Sequence, residues 1–493
     1  MQFIKGISMA KTKSSKKSGG GSAKSLSTYL DQIRDDPAEF RTVSRKVDPM
    51  NFDVTAILKH LDQRREYPTV QFDNALNMHG KPSAFPLVTN LWATRERCAE
   101  AVGLSRKQAG GELGALFADL LKKRIEPKVI SSSNAPVHAN VLQGKKANMW
   151  MFPVVRHFEM DLGGVMTMAM AAHAPGEDFY NITFVKTFPE TGHRGGLTIH
   201  SAHMSRMTKL WKNRGERFPV INILGHHPAF WMGTLNNTPW GDNEYATAGS
   251  FLREPTRLAP SVTWGNKFMV PADAEIIIEG EIGPDDRTIV DPFGEISGQY
   301  QPQQFAPVME VKAITYRDGA LYQDIFSGHR EHMLMASVPR EGSIYNHLKE
   351  RLGNITGVHL PYSGCARFTA YISIKKTDEG HPKQTAIMAM AHVMQLQVIV
   401  IVDDDIDVFN EEQVMWAVYT YVEPGRDVDM IKNVRAPSDP RGIGSNRIII
   451  DATRPTHIPF PTRLGVPKDA MARVKLEEWL DEVKTTRKTR GGK

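Results

Sequence analysis

The stretch "AEIIIEGEIGPDDRTIVDPFGEISGQYQPQQFAPVMEVKAITY" occupies residues 274–316. Its two ends, "AEIIIEGEI" and "VMEVKAITY", are apolar and β-branched, and read as strands. Between them, "VDPFGEISGQY" (290–300) brackets Phe293 and Glu295 with one proline and two glycines, which is turn chemistry. A solvated glutamate on a tight loop is the commoner meaning of such a pattern. The sharper one is a rigid turn that aims a single carboxyl into a pocket.

Outward from this hairpin, residues 126–325 carry further short strands punctuated by Gly and Pro: "TMAMAAHA", "FYNITFVKTF", "GLTIHSAH" and "FPVINILG". "HMSRMTKLWKNRGE" and "NEYATAGSFLRE" read as helical insertions. Many strands joined by turns point to a barrel or a strongly bent sheet. Upstream, residues 25–125 mix helix and strand as one α/β module, with Ser25 an N-cap candidate for the first helix. Downstream, residues 326–480 alternate strands with helices, which predicts a parallel or mixed sheet covered by helices. A last helix, "KDAMARVKLEEWLDEV", is amphipathic and suits packing on another subunit.

Composition limits the function classes. The 493 residues suggest about three domains. No apolar run reaches the ~20 residues of a membrane helix, so no membrane span is expected. Cys98 and Cys365 could form at most one disulfide, which excludes a secreted disulfide scaffold and favours a reducing, cytoplasmic setting. The net charge of +6 sits largely in a Lys-, Gly- and Ser-rich leader or linker (1–24) and a basic tail (481–493), both expected to be disordered. The body between them is close to neutral and no basic patch is interleaved with aromatics, so nucleic acid is not an expected partner.

Several candidates lie on these elements. In "FYNITFVKTF", Asn181 shares a strand face with Thr183 and Val185, while Lys186 shares the other with Ile182 and Phe184. An edge strand with solvated polar groups would explain them as well as a site would. His200 and His203 are three apart, a metal-binding spacing on a helix, although a structural pair is commoner. "GHHPA" (225–229) is a second His pair, in a turn. Glu244 heads a predicted helix, where the helix dipole favours an acid. Asn, His and Glu together make a nitrogen/oxygen set suited to Mn²⁺ or Mg²⁺. "GIGSN" (442–446) is half of a phosphate-binding loop without its frame, and "DDDID" (403–407) fits a solvated strand end.

Five stretches in this order, "FPLVTNLWATRERCAEAVGL", "RFPVINILGHHPA", "AEIIIEGEI", "DPFGEISGQY" and "VIVIVDDDIDVFNEEQVMWA", resemble the UbiD family of reversible decarboxylases over roughly residues 25–480. The resemblance implies an α/β (α+β) fold in three parts: an N-terminal α/β module (25–125), a split-barrel, flavin-reductase-like cofactor domain (126–325) and a C-terminal α/β oligomerisation domain (326–480). It implies prenylated FMN, a divalent ion, usually Mn²⁺, and K⁺ near the flavin phosphate. It also implies non-oxidative decarboxylation of an aromatic, heteroaromatic or α,β-unsaturated acid through a covalent cofactor adduct, with CO₂ as co-product. A flavin prenyltransferase would supply the cofactor, and the chain would form a homodimer or hexamer.

By position, Asn181, His203 and Glu244 match the family's metal ligands, which would tie the flavin phosphate to the protein. Lys383 matches a phosphate-contacting lysine, and Glu295 matches the acid that protonates the product carbon. Three positions depart from the family pattern. Lys186 stands where an arginine is usual, and lacks its planar fork. Val290 stands where a second glutamate is usual, leaving Asp291 beside it as the nearest acid. Tyr421 replaces a further arginine. These losses motivate an alternative: a non-catalytic flavin- or partner-binding subunit. "HREHMLMASV" (329–338) and Ile296 are expected to line a substrate pocket suited to a flat ring.

Overall fold

The computed structural model describes residues 23–236, 238–434 and 444–479. Six strands close into an antiparallel barrel: β1 (Met166–Ala172), β2 (Asn181–Thr191), β3 (Arg194–Thr198), β4 (Phe218–Leu224), β5 (Ile276–Val290) and β6 (Gln304–Tyr316). They pair in the order β5-β4-β1-β2-β3-β6, and β5 bonds to β6 to shut the ring. Side-chain alternation sorts the barrel residues between two cores. Met166, Met168, Met170, Val185, Leu197 and Ile278 join one cluster. Ala169, Ala171, Ile182, Ile221 and Ile277 join the other, shared with surrounding helices and partly with Phe184. The wall is therefore buried on both faces where these residues lie, which is why 166–172, 218–224 and 276–282 read as near-continuous apolar runs. β2 lies between β1 and β3, so it is not an edge strand.

Two helices attached to the barrel carry site residues: α1 (Ala202–Asn213) and α2 (Glu244–Leu252). The N-terminal module holds a four-stranded sheet, whose last strand, Tyr322–Gln323, comes from the chain after the barrel. Its first helix, Leu26–Ile33, is capped reciprocally by Ser25 and Thr28. Lys24, assigned to the leader by composition, is held in place: its backbone N–H donates to Glu254 (2.7 Å) and its Nζ to the Leu252 carbonyl (2.6 Å).

The sequence split residues 329–352 into a pocket lining and a helix. They form one 23-residue helix, α3 (Arg330–Leu352), which runs through Pro339. Proline removes one backbone donor there, and burial of the helix on neighbouring elements outweighs that loss. Leu334, Met335 and Val338 belong to the core shared with the N-terminal module, not to a pocket. Two buried carboxylates fasten α3. Glu331 accepts the backbone N–H groups of Asn90 (2.7 Å) and Leu91 (2.5 Å). Glu341 pairs with Arg95 (2.8 Å) and with His359 (2.8 Å).

The C-terminal sheet is mixed, with strands β7 (Ile355–His359), β8 (Thr369–Ile374), β9 (Val398–Asp403), β10 (Val428–Val434) and β11 (Ser445–Ala452) in the order β7-β8-β9-β11-β10. α4 (His381–His392) packs on it. β10 was not foreseen; its exposed, alternating side chains give little apolar signal.

Residues from Arg454 onward form a separate unit. The single terminal helix expected there is two short ones, Lys468–Arg473 and Leu476–Trp479, parted at Val474, whose backbone is extended. Segments this short have little intrinsic helical stability. The rest of that helix, the tail beyond residue 479, the leader up to residue 22, and Gly442 and Ile443 of "GIGSN" lie outside the described residues. Among the described residues no helix is long and apolar enough to cross a membrane.

Candidate active site

The hairpin turn of residues 293–301 is built as its glycines suggest. Phe293–Gly294 pairs with Tyr300–Gln301. The Glu295 N–H donates to the Gln299 carbonyl (3.0 Å), and Gly298, at φ +70°, returns its N–H to the Glu295 carbonyl (3.0 Å). A Cβ on Gly294 would come within 2.2 Å of Phe158 Cε2, so only glycine lets that ring lie against the turn. The Glu295 backbone is thereby fixed.

Its side chain forms an ion pair with Lys186 of β2. Both are largely buried, at 17% and 8% side-chain exposure, so the pair is shielded from solvent rather than being a surface contact. Glu295 Oε2 also accepts the Ile296 N–H (2.9 Å), and Lys186 Nζ lies 5.1 Å above the Phe293 ring. Burial alone would raise the Glu295 pKa. The charge and hydrogen bond of Lys186, with the Ile296 N–H, outweigh it and hold the carboxyl well below the ordinary range. Burial, opposed by Glu295, lowers the Lys186 pKa. The turn therefore carries a shielded, ionised acid.

Residues not singled out from sequence surround this pair. His332, on the first turn of α3, is buried and neutral, its pKa pushed down to about 3 by burial and then by Lys186. Its Nδ1 accepts the Gly328 N–H (3.2 Å). Arg367 and Arg340 act on His332 through their charges, and Arg367 acts on Lys186 and His200 as well. Asp161 is the smaller anionic influence on Lys186; it accepts the N–H groups of His157 (3.2 Å) and Phe158 (2.9 Å). Their types gave no signal: an Arg after "YSGCA" or an Asp in an irregular loop fits a solvated surface equally well. Asp291 is half-buried at the end of β5. Val290 is buried, and its Cγ1 lies where a Cβ on Gly196 of β3 would be, 2.5 Å away.

Asn181 and Glu244 meet at the other end of β2. Asn181 Nδ2 donates to Glu244 Oε1 (2.9 Å), Thr238 Oγ1 donates to the same oxygen (2.8 Å), and the Ile182 N–H donates to Oε2. Glu244 is the first residue of α2, fully buried, and burial pushes its pKa up to about 8 against those three donors. Asn181 Oδ1 is buried without a hydrogen-bond partner. A carboxylate surrounded by neutral donors and an unsatisfied amide oxygen are the donor set of a hard cation. His203 lies on α1 with its ring edge-on to Trp240 (5.5 Å). His200 precedes that helix, so the two histidines do not share a helical face. Among the described residues no three His, Cys, Asp or Glu side chains converge as a metal site.

The remaining candidates go elsewhere. Lys383 stands at the exposed start of α4, paired with Asp429 of β10 (2.7 Å). His226 and His227 are buried and neutral, their pKa values pushed down to about 3 by burial; His227 Nδ1 caps the helix Pro228–Thr234. In "DDDID", Asp407 accepts the Phe409 N–H (3.0 Å). Both cysteines are free.

Three family profiles match in succession: the N-terminal domain of 3-octaprenyl-4-hydroxybenzoate carboxy-lyase at residues 33–117, its Rift-related domain at 128–330 and its C-terminal domain at 333–452. The chain belongs to the UbiD family of carboxy-lyases. Among solved structures it is similar to an evolved dimeric form of the UbiD-class enzyme HmfF from Pelotomaculum thermopropionicum in complex with prFMN. The two are 28% identical, with 93% of this chain and 100% of that one covered and a TM-score of 0.83. The same enzyme in complex with FMN gives 28% identity, coverage of 92% and 100%, and a TM-score of 0.84. The fold is also shared with the apo 3,4-dihydroxybenzoic acid decarboxylase of Enterobacter cloacae, at 24% identity, coverage of 91% and 99%, and a TM-score of 0.80.

Proposed function

We propose that the protein catalyses reversible, non-oxidative decarboxylation of an aromatic, heteroaromatic or α,β-unsaturated carboxylic acid with prenylated FMN, and that Glu295 is its proton donor. The observation that carries this reading is the buried Lys186–Glu295 pair on a turn whose glycine admits no side chain. Prenylated FMN, when bound, supplies the electron sink that an sp² carbon lacks. Asn181, His203 and Glu244 would hold Mn²⁺ or another divalent ion at the flavin phosphate, with K⁺ beside it; the unpartnered Asn181 Oδ1 and the buried Glu244 carboxylate suit that charge.

Lys186 attracts the substrate carboxylate. Once that anion shares the lysine's charge, burial is less opposed and the protonated form of Glu295 gains. The bond from carbon to carboxylate breaks, CO₂ leaves, and its electron pair stays with the carbon. Glu295 then donates the proton that completes the C–H bond and regains one from water. Lys186 replaces the family arginine as a point charge, and Asp161, rather than Asp291, is the acid whose charge bears on it. Lys383, exposed at the start of α4 and paired with Asp429, would contact the flavin phosphate.

Co-expression with a flavin prenyltransferase, followed by absorbance and mass spectra and by CO₂ release from a panel of acids, tests this. Protein loaded with the modified flavin that releases CO₂ from none of them overturns the reading.

A further inference from the structure

The turn that carries Glu295 is gripped from two sides. On one side the Phe158 ring fills the space that a Gly294 side chain would need. On the other, Gly328 (φ +67°) comes so close that a Cβ on it would stand 3.0 Å from the Glu295 carbonyl oxygen. The two jaws come from distant segments, one before the barrel and one after it. A single buried histidine joins them. His157 directly precedes Phe158, and its ring stacks on Phe326, two residues before Gly328 (5.2 Å between centroids, 16° between planes). Phe326 also lies 5.7 Å from the Phe158 ring. Asp161 accepts the backbone N–H groups of both His157 and Phe158, which fixes how the first jaw is presented.

Both nitrogens of the His157 ring are used, and both partners lead to the N-terminal module. Nε2 lies 3.3 Å from Asp324 Oδ2. Asp324 belongs to the second jaw's segment, and its backbone N–H donates to the Val88 carbonyl of the module sheet (2.9 Å). Nδ1 is 3.1 Å from Thr55 Oγ1, on the module helix Asp53–Gln63. A ring proton on Nε2 faces the carboxylate and leaves Nδ1 to accept from the Thr55 hydroxyl, so the two partners set both tautomer and ring orientation. Thr55, His157 and Asp324 are all buried, which keeps water from competing for these contacts. A ring held at both nitrogens and stacked on one face has little freedom to rotate, and neither do the jaws attached to it.

We propose that His157 is a positioning residue for Glu295, and that through Thr55 and Asp324 the N-terminal module helps to aim the acid. His157 acts through Phe158 on Gly294, and through Phe326 and Gly328 on the Glu295 carbonyl. This rests on the reading of Glu295 as the proton donor and adds to it the residues that hold the donor in register with Lys186. A shift of the turn near 1 Å is enough to matter at a reacting group.

Two pairs of variants test this. Thr55→Val keeps the side chain's shape and removes its hydroxyl, which Thr55→Ser restores. His157→Leu removes both polar contacts, and His157→Gln places an amide near the position of Nε2. In flavin-free protein, difference infrared spectra follow the Glu295 carboxylate band, identified with Glu295→Gln. The band should titrate at higher pH in Thr55→Val and His157→Leu, because a loosened turn draws Glu295 away from Lys186. Thr55→Ser and His157→Gln should return it most of the way. In flavin-loaded enzyme, kcat should fall about 5-fold in Thr55→Val, the equivalent of one neutral hydrogen bond, and about 10²-fold in His157→Leu, with KM and flavin content unchanged. Glu341→Gln, which weakens α3 away from the turn, serves as the control and should lower stability without moving the band. An unmoved band in Thr55→Val, a shift that Thr55→Ser does not reverse, or an equal shift in Glu341→Gln overturns the proposal. If His157→Leu does not fold, the Thr55 pair decides. A band that moves as expected in a protein that releases CO₂ from no acid would sustain the positioning role and sink the decarboxylase reading. CO₂ release with an unmoved band would do the reverse.

Discussion

Lys186 and Glu295, 109 positions apart in the chain, meet as a shielded ion pair where strand β2 passes beneath the turn after β5. The barrel brings them together, because β2 reaches β5 through β3 and β6. The lysine decides the state of the acid: without it, burial would dominate and the carboxyl would titrate above its ordinary value. Lys186→Met should therefore raise the Glu295 pKa in the flavin-free protein. Difference infrared spectra across a pH series, with Glu295→Gln to identify the band, measure this directly. A carboxylate band that titrates identically with and without Lys186 contradicts the pairing.

Glu295→Gln keeps the shape of the side chain and removes its proton. Loss of a general acid is typically worth ~10²–10⁴ in rate. The variant should lose about that much turnover, and with it the exchange of the product's hydrogen for deuterium in D₂O, which is the same transfer reversed. Flavin content should not change. Exchange at the unaltered rate would return Glu295 to being a carboxylate on a turn.

At the far end of β2, Asn181→Ala, His203→Ala and Glu244→Ala should each lower the manganese content of purified protein and weaken flavin retention. Glu244 is the most telling of the three, since its oxygens accept bonds from Asn181, Thr238 and Ile182. Full metal occupancy in His203→Ala together with Glu244→Ala would show that the ion, if any, is held elsewhere.

Glu341 makes a separate prediction about stability. Burial opposes its ionisation, but Arg95 and His359 prevail and bring its pKa from the ordinary 4.5 down to about 2. A depressed carboxyl contributes stability above its unfolded value, and that contribution is lost as pH falls from 4.5 toward about 2. Glu341→Gln breaks a buried pair, which costs about 3–5 kcal/mol near neutrality. The gap to the unaltered protein should narrow in acid. Urea midpoints at neutral and acid pH read it; a gap that stays constant would mean that Glu341 stabilises through shape rather than charge.

Much of this was legible in the sequence, for identifiable reasons. The barrel strands at 166–172, 218–224 and 276–282 stand out as apolar runs because the wall there is buried on both faces. The turn at Glu295 stands out because Pro292, Gly294 and Gly298 have few other uses. The partners of Lys186 were not legible. Asp161, Arg367 and the α3 residues His332 and Arg340 come from three separate segments, and only closure of the fold brings them to bear on the Lys186–Glu295 pair. Nor could sequence decide the Glu295 titration, because burial and Lys186 push in opposite directions and the outcome depends on their distance. Long helix α3 was split in reading since Pro339 marks a stop locally, while the contacts that override it are tertiary.

The glycine before the acid gives the last test. A methyl group on Gly294 would meet Phe158 Cε2 at 2.2 Å and Cδ2 at 2.4 Å, well inside any real contact. Phe158 cannot retreat freely: its ring lies 5.7 Å from Phe326 and 6.1 Å from Tyr300, whose hydroxyl accepts the Met160 N–H (3.0 Å). In Gly294→Ala the turn must shift instead, carrying Glu295 away from Lys186. Overpacking of this kind costs about 1–3 kcal/mol in stability. The effect on turnover should be larger than that loss suggests, because a displacement near 1 Å at a reacting group can cost about 10²-fold. Phe158→Ala in the Gly294→Ala background makes room for the methyl group and should recover much of the rate. A double variant no faster than Gly294→Ala alone would show that the ring does not set the position of the acid.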